Sequence, residues 1–195
     1  ADRRVEGLPS VEADNRGGSC GLTKYVLSLG HRKIAYIAGP KEVSTAQDRL
    51  AGFQEAMKEA NHEPVGVWYG NFTYESGYQQ AQEILHSHKV DAIMAANDLM
   101  AIGAMQAIQD RGLKVPRDIA VTGFDNVPFA SLTRPPLTTV RIPAYEIGTY
   151  AAEVLLSRYV AEETEQNMNK VEGELIIGGS CQEGHADIAL NLGEK

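Results

Sequence analysis

Residues Leu29 to Pro40 read LGHRKIAYIAGP, and the class of fold follows from them. Gly30 ends a helical pattern, Lys33 to Ala38 reads as a short strand, and Gly39 with Pro40 breaks it. Helical periodicity flanks this strand on both sides. Upstream, Leu22, Val26 and Leu29 share one face of a helix that follows Asp14 and Asn15. Downstream, Leu50, Phe53 and Met57 do the same within Ser44 to Ala60, where Thr45 and Asp48 resemble a capping box.

The unit then repeats. Val65 to Tyr69 is read as strand, Tyr74 to Ser87 as helix, Asp91 to Ala95 as strand and Asp98 to Arg111 as helix ending at Gly112. Ile119 to Phe124 is the next strand. Asp125 to Pro136 is a turn region, since Pro128, Pro135 and Pro136 forbid a continuous helix. Leu137 to Arg141 is extended again. Pro143 opens a helix with Ile147, Ala151, Val154 and Leu155 on one face. Ala161 to Lys170 is read as a loop, and Glu174 to Gly178 as a last strand. Such alternation is the pattern of an α/β protein with a doubly wound, mostly parallel sheet. Val5 to Ala13 is strand-like, with no preceding partner in the sequence.

Composition narrows the function. In 195 residues, 18 Lys and Arg stand against 26 Asp and Glu, a formal charge of −8. That sign is wrong for a surface that neutralises phosphates, so the chain is not expected to grip nucleic acid itself. No apolar run approaches the roughly 18 residues of a membrane span. Cys20 and Cys181 form no CxxC pair, as in a reduced, cytoplasmic chain. Ala1 to Pro9 lack the basic start and apolar run of a signal peptide, and without an initiator Met the chain reads as beginning mid-protein.

In doubly wound sheets ligands sit beyond the carboxyl ends of the strands. The residues expected there are Arg49, Phe72, Asn97, Asp125 and Ile142. Each has a plainer explanation: Arg49 as a solvated cation, Asn97 or Asp98 as a helix cap, Asp125 in a turn with Asn126, Phe72 as core. Together they offer an aromatic ring and directional polar groups, which suits a sugar, a nucleobase or a similar small molecule. No GxGxxG, P-loop or GxSxG is present, and Gly178 to Gln182 does not fit the last. No catalytic set, cofactor or metal is expected. His86 and His88 read as solvent-facing. Asn71 to Thr73 matches a glycosylation sequon too short to carry weight. The helix Asp98 to Arg111 is apolar nearly all round, which fits either burial within its own chain or a homodimer face.

With these residues placed, the chain resembles the effector-binding region of the LacI/GalR family of bacterial transcription repressors. The matching stretches are Asp14-Asn15, Leu29 to Pro40, RLAGFQEAM (Arg49 to Met57), FTYESGY (Phe72 to Tyr78), ANDLMAIGAM (Ala96 to Met105), GLKVPRDIAVTGFDN (Gly112 to Asn126) and PPLTTVRIPAYEIG (Pro135 to Gly148). The resemblance implies a fold like that of periplasmic binding proteins, with two lobes joined by three crossovers near Asp14, Ile142 and Val171. Residues 15–141 would be a complete C-terminal lobe, 1–14 and 142–170 parts of the N-terminal lobe, 171–181 a strand returning to the C-terminal lobe, and 182–195 a tail. Arg49, Phe72, Asn97 and Asp125 match effector contacts of the family. Ile142 departs, since many relatives carry Gln there. The resemblance further implies a small-molecule effector, foremost a carbohydrate, and a homodimer formed through Ile102, Met105 and the turn near Leu132. Operator DNA would be contacted only through a helix-turn-helix headpiece lying outside this chain. A periplasmic sugar receptor serving an ABC transporter shares the fold and is the alternative; an enzyme on the same scaffold is a distant third.

Overall fold

The computed structural model describes residues 10–161 and 169–182. Its elements are β1 (Val11–Ala13), α1 (Asn15–Ser28), β2 (Ile34–Ala38), α2 (Ser44–Glu59), β3 (Gly66–Tyr69), α3 (Tyr74–Ser87), β4 (Ala92–Ala95), α4 (Asp98–Asp110), β5 (Ala120–Thr122), β6 (Thr139–Arg141), α5 (Ala144–Ala161), β7 (Asn169–Val171) and β8 (Glu174–Ile176). One 3-10 turn, Pro128–Ser131, sits in the proline-rich segment.

The central sheet has the order β3-β2-β4-β5, and every pair in it is parallel. All five residues of β2 are buried, as expected for a strand covered on both faces. Helices α1 and α2 pack on each other, and so do α3 and α4. Right-handed crossovers place the two pairs on opposite faces of the sheet. Phe53 stacks on Tyr36 at 4.5 Å between ring centroids, joining α2 to the centre of β2. Beyond β5 the chain is extended by bridges from Thr122 to Thr138 and from Asp125 to Arg141. Strand β6 then pairs antiparallel with β8, and β1 pairs parallel with β7.

The apolar girth of α4 is explained largely within the chain. Met100, Ala101, Ala104, Met105, Ala107 and Ile108 are all buried, because the helix lies between the sheet and α3. Leu99 and Ile102 keep partial exposure.

Several sequence expectations need correction. Helix α2 enters from extended Val43, which makes no side-chain cap, so Thr45 and Asp48 form no capping box. Thr45 already lies inside the first turn, past the position from which a hydroxyl can cap. Of the strand expected over Val5 to Ala13, the last three residues are strand, and Val5 to Pro9 lie outside the described residues. The expected loop Ala161 to Lys170 yields its first residue to α5 and its end to β7; 162–168 lie outside the described residues. Polar Asn169 and Lys170 carry no strand signal of their own. Their pairing comes from β1, far away in sequence.

Candidate functional site

Helix α2 leaves β2 toward β3, whereas α4 leaves β4 toward β5. The crevice between the carboxyl ends of β2 and β4 is therefore the switch point of the sheet. Arg49, on the second turn of α2, projects into it and is only 7% exposed. Its guanidinium reaches three separate elements. Nε donates to Asn15 Oδ1 at 2.8 Å, Nη1 to the Ala96 carbonyl at 2.7 Å, and Nη2 to Asp125 Oδ1 at 2.7 Å. The ring of Phe124 lies beneath it, 4.1 Å from guanidinium carbon to centroid. A cation near a helix N-terminus is opposed by the helix dipole. Here a carboxylate, a carbonyl and an amide oxygen offset that cost, and the solvated-arginine explanation does not hold.

Asn97 serves two roles at once. Its Oδ1 accepts from Met100 N at 3.0 Å, capping α4, while its Nδ2 donates to the Phe72 carbonyl at 3.0 Å. That bond ties the loop after β3 to the end of β4. Phe72 itself is half-buried in a left-handed conformation, φ 69°, with its ring filling the space that a side chain at Gly39 would need. Asp125 and Asn126 also have positive φ, 107° and 57°. Such backbone costs on the order of 1 kcal/mol per residue and needs outside support. Asp125 N donates to Val140 O at 2.9 Å, and its carboxylate faces Arg49. The carboxylate thus does more than close a turn. Ile142 is half-buried against the core, with its N–H toward the Asp125 carbonyl at 3.5 Å.

Asp98, next to the capping Asn97, is fully buried. Its Oδ1 accepts from the Thr139 hydroxyl at 2.6 Å and its Oδ2 from Val127 N at 2.7 Å. Burial, helped by the charge of Asp125, raises its pKa to about 6 against the pull of those hydrogen bonds.

The four expected ligand contacts are thus brought to one edge and joined: Phe72 to Asn97 by a side-chain bond, and Asp125 through Arg49 to the carbonyl of Ala96. Sequence reading did not assign roles to Asn15, the Ala96 carbonyl or the Phe124 ring. Asn15 was visible only as a helix-start residue beside Asp14. The expected dimer set divides. Leu132 is 67% exposed and Ile102 half-buried, whereas Met105 is buried in the core of its own chain. Phe129, in the same turn as Leu132, is 62% exposed. Among the described residues no cluster of His, Cys, Asp or Glu could hold a metal ion, and no helix is long and apolar enough to cross a membrane.

Residues 23–181 match the family model of the periplasmic binding protein-like domain. The chain belongs to that family. Within it, this binding domain is 37% identical over 175 residues to the HTH-type transcriptional regulator CelR of Thermobifida fusca, covering 88% of this chain and 52% of that protein. The solved CelR–cellobiose complex superposes with a TM-score of 0.83 at 36% identity, over 90% of this chain and 54% of that one. The lac repressor dimer bound to operator and the anti-inducer ONPF superposes at 0.85 with 30% identity, over 89% and 60% respectively. The resemblance to the effector-binding region of LacI/GalR regulators is thereby established, and the relatives are transcriptional regulators rather than enzymes. The chain spans about half the length of the curated relatives it matches.

Proposed function

We propose that this domain is the effector-sensing part of a bacterial LacI/GalR-type transcription regulator, which binds a small carbohydrate at the edge formed by Arg49, Phe72, Asn97 and Asp125. The observation that carries the reading is Arg49. It is buried at the switch point of the sheet and held to α1, the segment after β4 and the loop after β5, with N–H groups to spare. A planar donor fork beside a carboxylate and above an aromatic ring suits a polyhydroxylated ligand. Cellobiose in the CelR complex and ribose in another LacI-family structure support the ligand class.

On this reading 15–141 form the C-terminal lobe, 1–14 and 142–170 belong to the N-terminal lobe, 171–181 return, and 182–195 are a tail. Effector closes the cleft between lobes and shifts a homodimer between two arrangements that place helix-turn-helix headpieces differently on operator DNA. The protein works in the cytoplasm, senses its ligand without turning it over, and needs no cofactor. Exposed Leu132 and Phe129, with half-buried Ile102, suit the dimer face.

The test is a thermal-shift panel of cellobiose, ribose, other mono- and disaccharides, and nucleosides, run on wild type and Asp125→Asn. Asn tolerates positive φ and still offers an acceptor to Arg49, so the fold is kept. A sugar that raises Tm in wild type and not in the variant supports the reading. An equal shift in both overturns the site, and a response to nucleosides alone overturns the ligand class.

A further inference from the structure

Asn15 occupies the first position of α1, where Asp14 already caps the helix by accepting from Gly17 N at 3.1 Å. The Asn15 side chain is therefore not needed to start the helix. It is nonetheless only 3% exposed. Burying an amide is unfavourable unless both ends are bonded, and here both are. Oδ1 accepts from Arg49 Nε at 2.8 Å, and Nδ2 donates to the Ala13 carbonyl at 3.2 Å.

The geometry at Arg49 shows what that first bond does. A guanidinium has five N–H donors, and Nε carries one of them. Asn15 takes it, Ala96 O takes one from Nη1, and Asp125 takes one from Nη2. Two N–H groups remain, one on each Nη. With Nε held, the plane of the fork is set by three acceptors that stand far apart in the sequence. The second bond leads elsewhere. Ala13 ends β1, and the next residue, Asp14, donates its N–H to Val171 O at 2.8 Å, beside the β1–β7 pair.

We propose that Asn15 is the positioning residue of this site: it fixes the plane of Arg49 and joins that side chain, through two hydrogen bonds, to the end of β1. Force exerted on Arg49 by an effector reaches β1 by this route, while Asp125 is connected to β6 through Val140 O and the Asp125–Arg141 bridge. Two contacts of one effector are thus each fastened to a different strand leading out of the sheet. The role rests on Arg49 being an effector contact, as proposed above.

The experiment is hydrogen exchange of the Arg49 Nε–H by NMR in the full chain without effector, in mildly acidic buffer, the resonance being assigned by its loss in Arg49→Lys. Three chains are compared: wild type, Asn15→Ala and Asn15→Asp. Asn15→Ala should speed Nε–H exchange about tenfold or more, the effect of losing a charge-assisted bond. Asn15→Asp retains an acceptor for Nε but cannot donate to Ala13 O. It should keep Nε–H protected while backbone exchange at Ala13 and Asp14 accelerates. Unchanged Nε–H exchange in a folded Asn15→Ala chain overturns the proposal. If Asn15→Ala does not fold, Asn15→Asp decides: loss of protection at both places, or at neither, overturns it equally. Failure of the effector reading would appear only in ligand titrations, which this measurement does not use.

Discussion

Arg49 and Asp125 are 76 positions apart in the chain, and their side chains meet at 2.7 Å where the sheet reverses its winding. The pair is a junction of α2 with the loop after β5, and Ala96 and Asn15 complete it. Arg49→Lys keeps the charge but replaces a planar fork by a single ammonium that cannot reach three acceptors on three elements. Stability should fall by about 1–3 kcal/mol, read from the urea midpoint. An unchanged midpoint would mean that the three bonds contribute nothing to the fold.

Asp98 makes stability depend on pH in an unusual direction. Its pKa is about 6 in the folded chain, against the ordinary 3.8, so the folded state holds the proton more tightly. Its contribution is greatest below pH 3.8 and is lost as pH rises through about 6, a swing of roughly 3 kcal/mol. Asp91 and Asp118, whose pKa values are lowered, act in the opposite sense. The difference between wild type and Asp98→Asn isolates the effect. Wild type should lose stability relative to the variant from pH 4 to 6, a window set by about two pKa units; parallel curves would refute the assignment.

His31 lies at the opposite end of the sheet, buried, with Nε2 2.8 Å from Gln182 O and Nδ1 3.7 Å from the Asp91 carboxylate. Burial opposes its charge, but Asp91, Cys181 and the Gln182 carbonyl outweigh it and raise its pKa to about 10. The stabilisation is complete below 6.5 and lost as pH rises through about 10. The imidazole Cε1–H shift in NMR should therefore stay flat between about pH 5 and 8, where an ordinary histidine titrates. An inflection near 6.5 would show that the imidazole gains no net support from its neighbours.

Two glycines should respond to Ala in opposite directions. Gly21, inside α1, borders an open hollow of about 300 Å³ beside Leu22, Val140 and Leu175, and a Cβ there meets nothing within 4 Å. Gly21→Ala should stabilise by about 0.5–1 kcal/mol through helix propensity. At Gly77 a Cβ would fall 2.2 Å from the Met100 carbonyl oxygen, where α3 and α4 touch. Gly77→Ala should destabilise by about 1–3 kcal/mol. Thermal denaturation of both variants checks the pair, and equal effects would contradict the packing described.

Leu132 and Met105 should separate association from folding. Leu132→Glu should leave monomer stability within about 0.5 kcal/mol while moving the mass measured by light scattering toward the monomer. Met105→Ala should lower stability by about 2–5 kcal/mol, as a core truncation does. A Leu132→Glu protein that remains dimeric would exclude this turn from the interface.

Most of the architecture was legible along the chain. Breakers such as Gly30, Gly39 with Pro40, and Gly112 bound short apolar runs, and periodicities of two and 3.6 are local properties that a linear reading can detect. The positions of Arg49, Phe72, Asn97 and Asp125 at one edge followed from winding alone, since whatever follows a strand in a parallel sheet lies at its carboxyl end. The sequence by itself thus determined the class of fold and the residues that stand at the carboxyl edge of its sheet. Only the tertiary structure decided how those residues are held. The Arg49–Asp125 pair, the bond from Asn15, the burial of Asp98 and Met105, and the strand at Asn169–Val171 all depend on partners distant in sequence. A local pattern can say that an amide starts a helix; only packing decides that the same amide meets the cation of another.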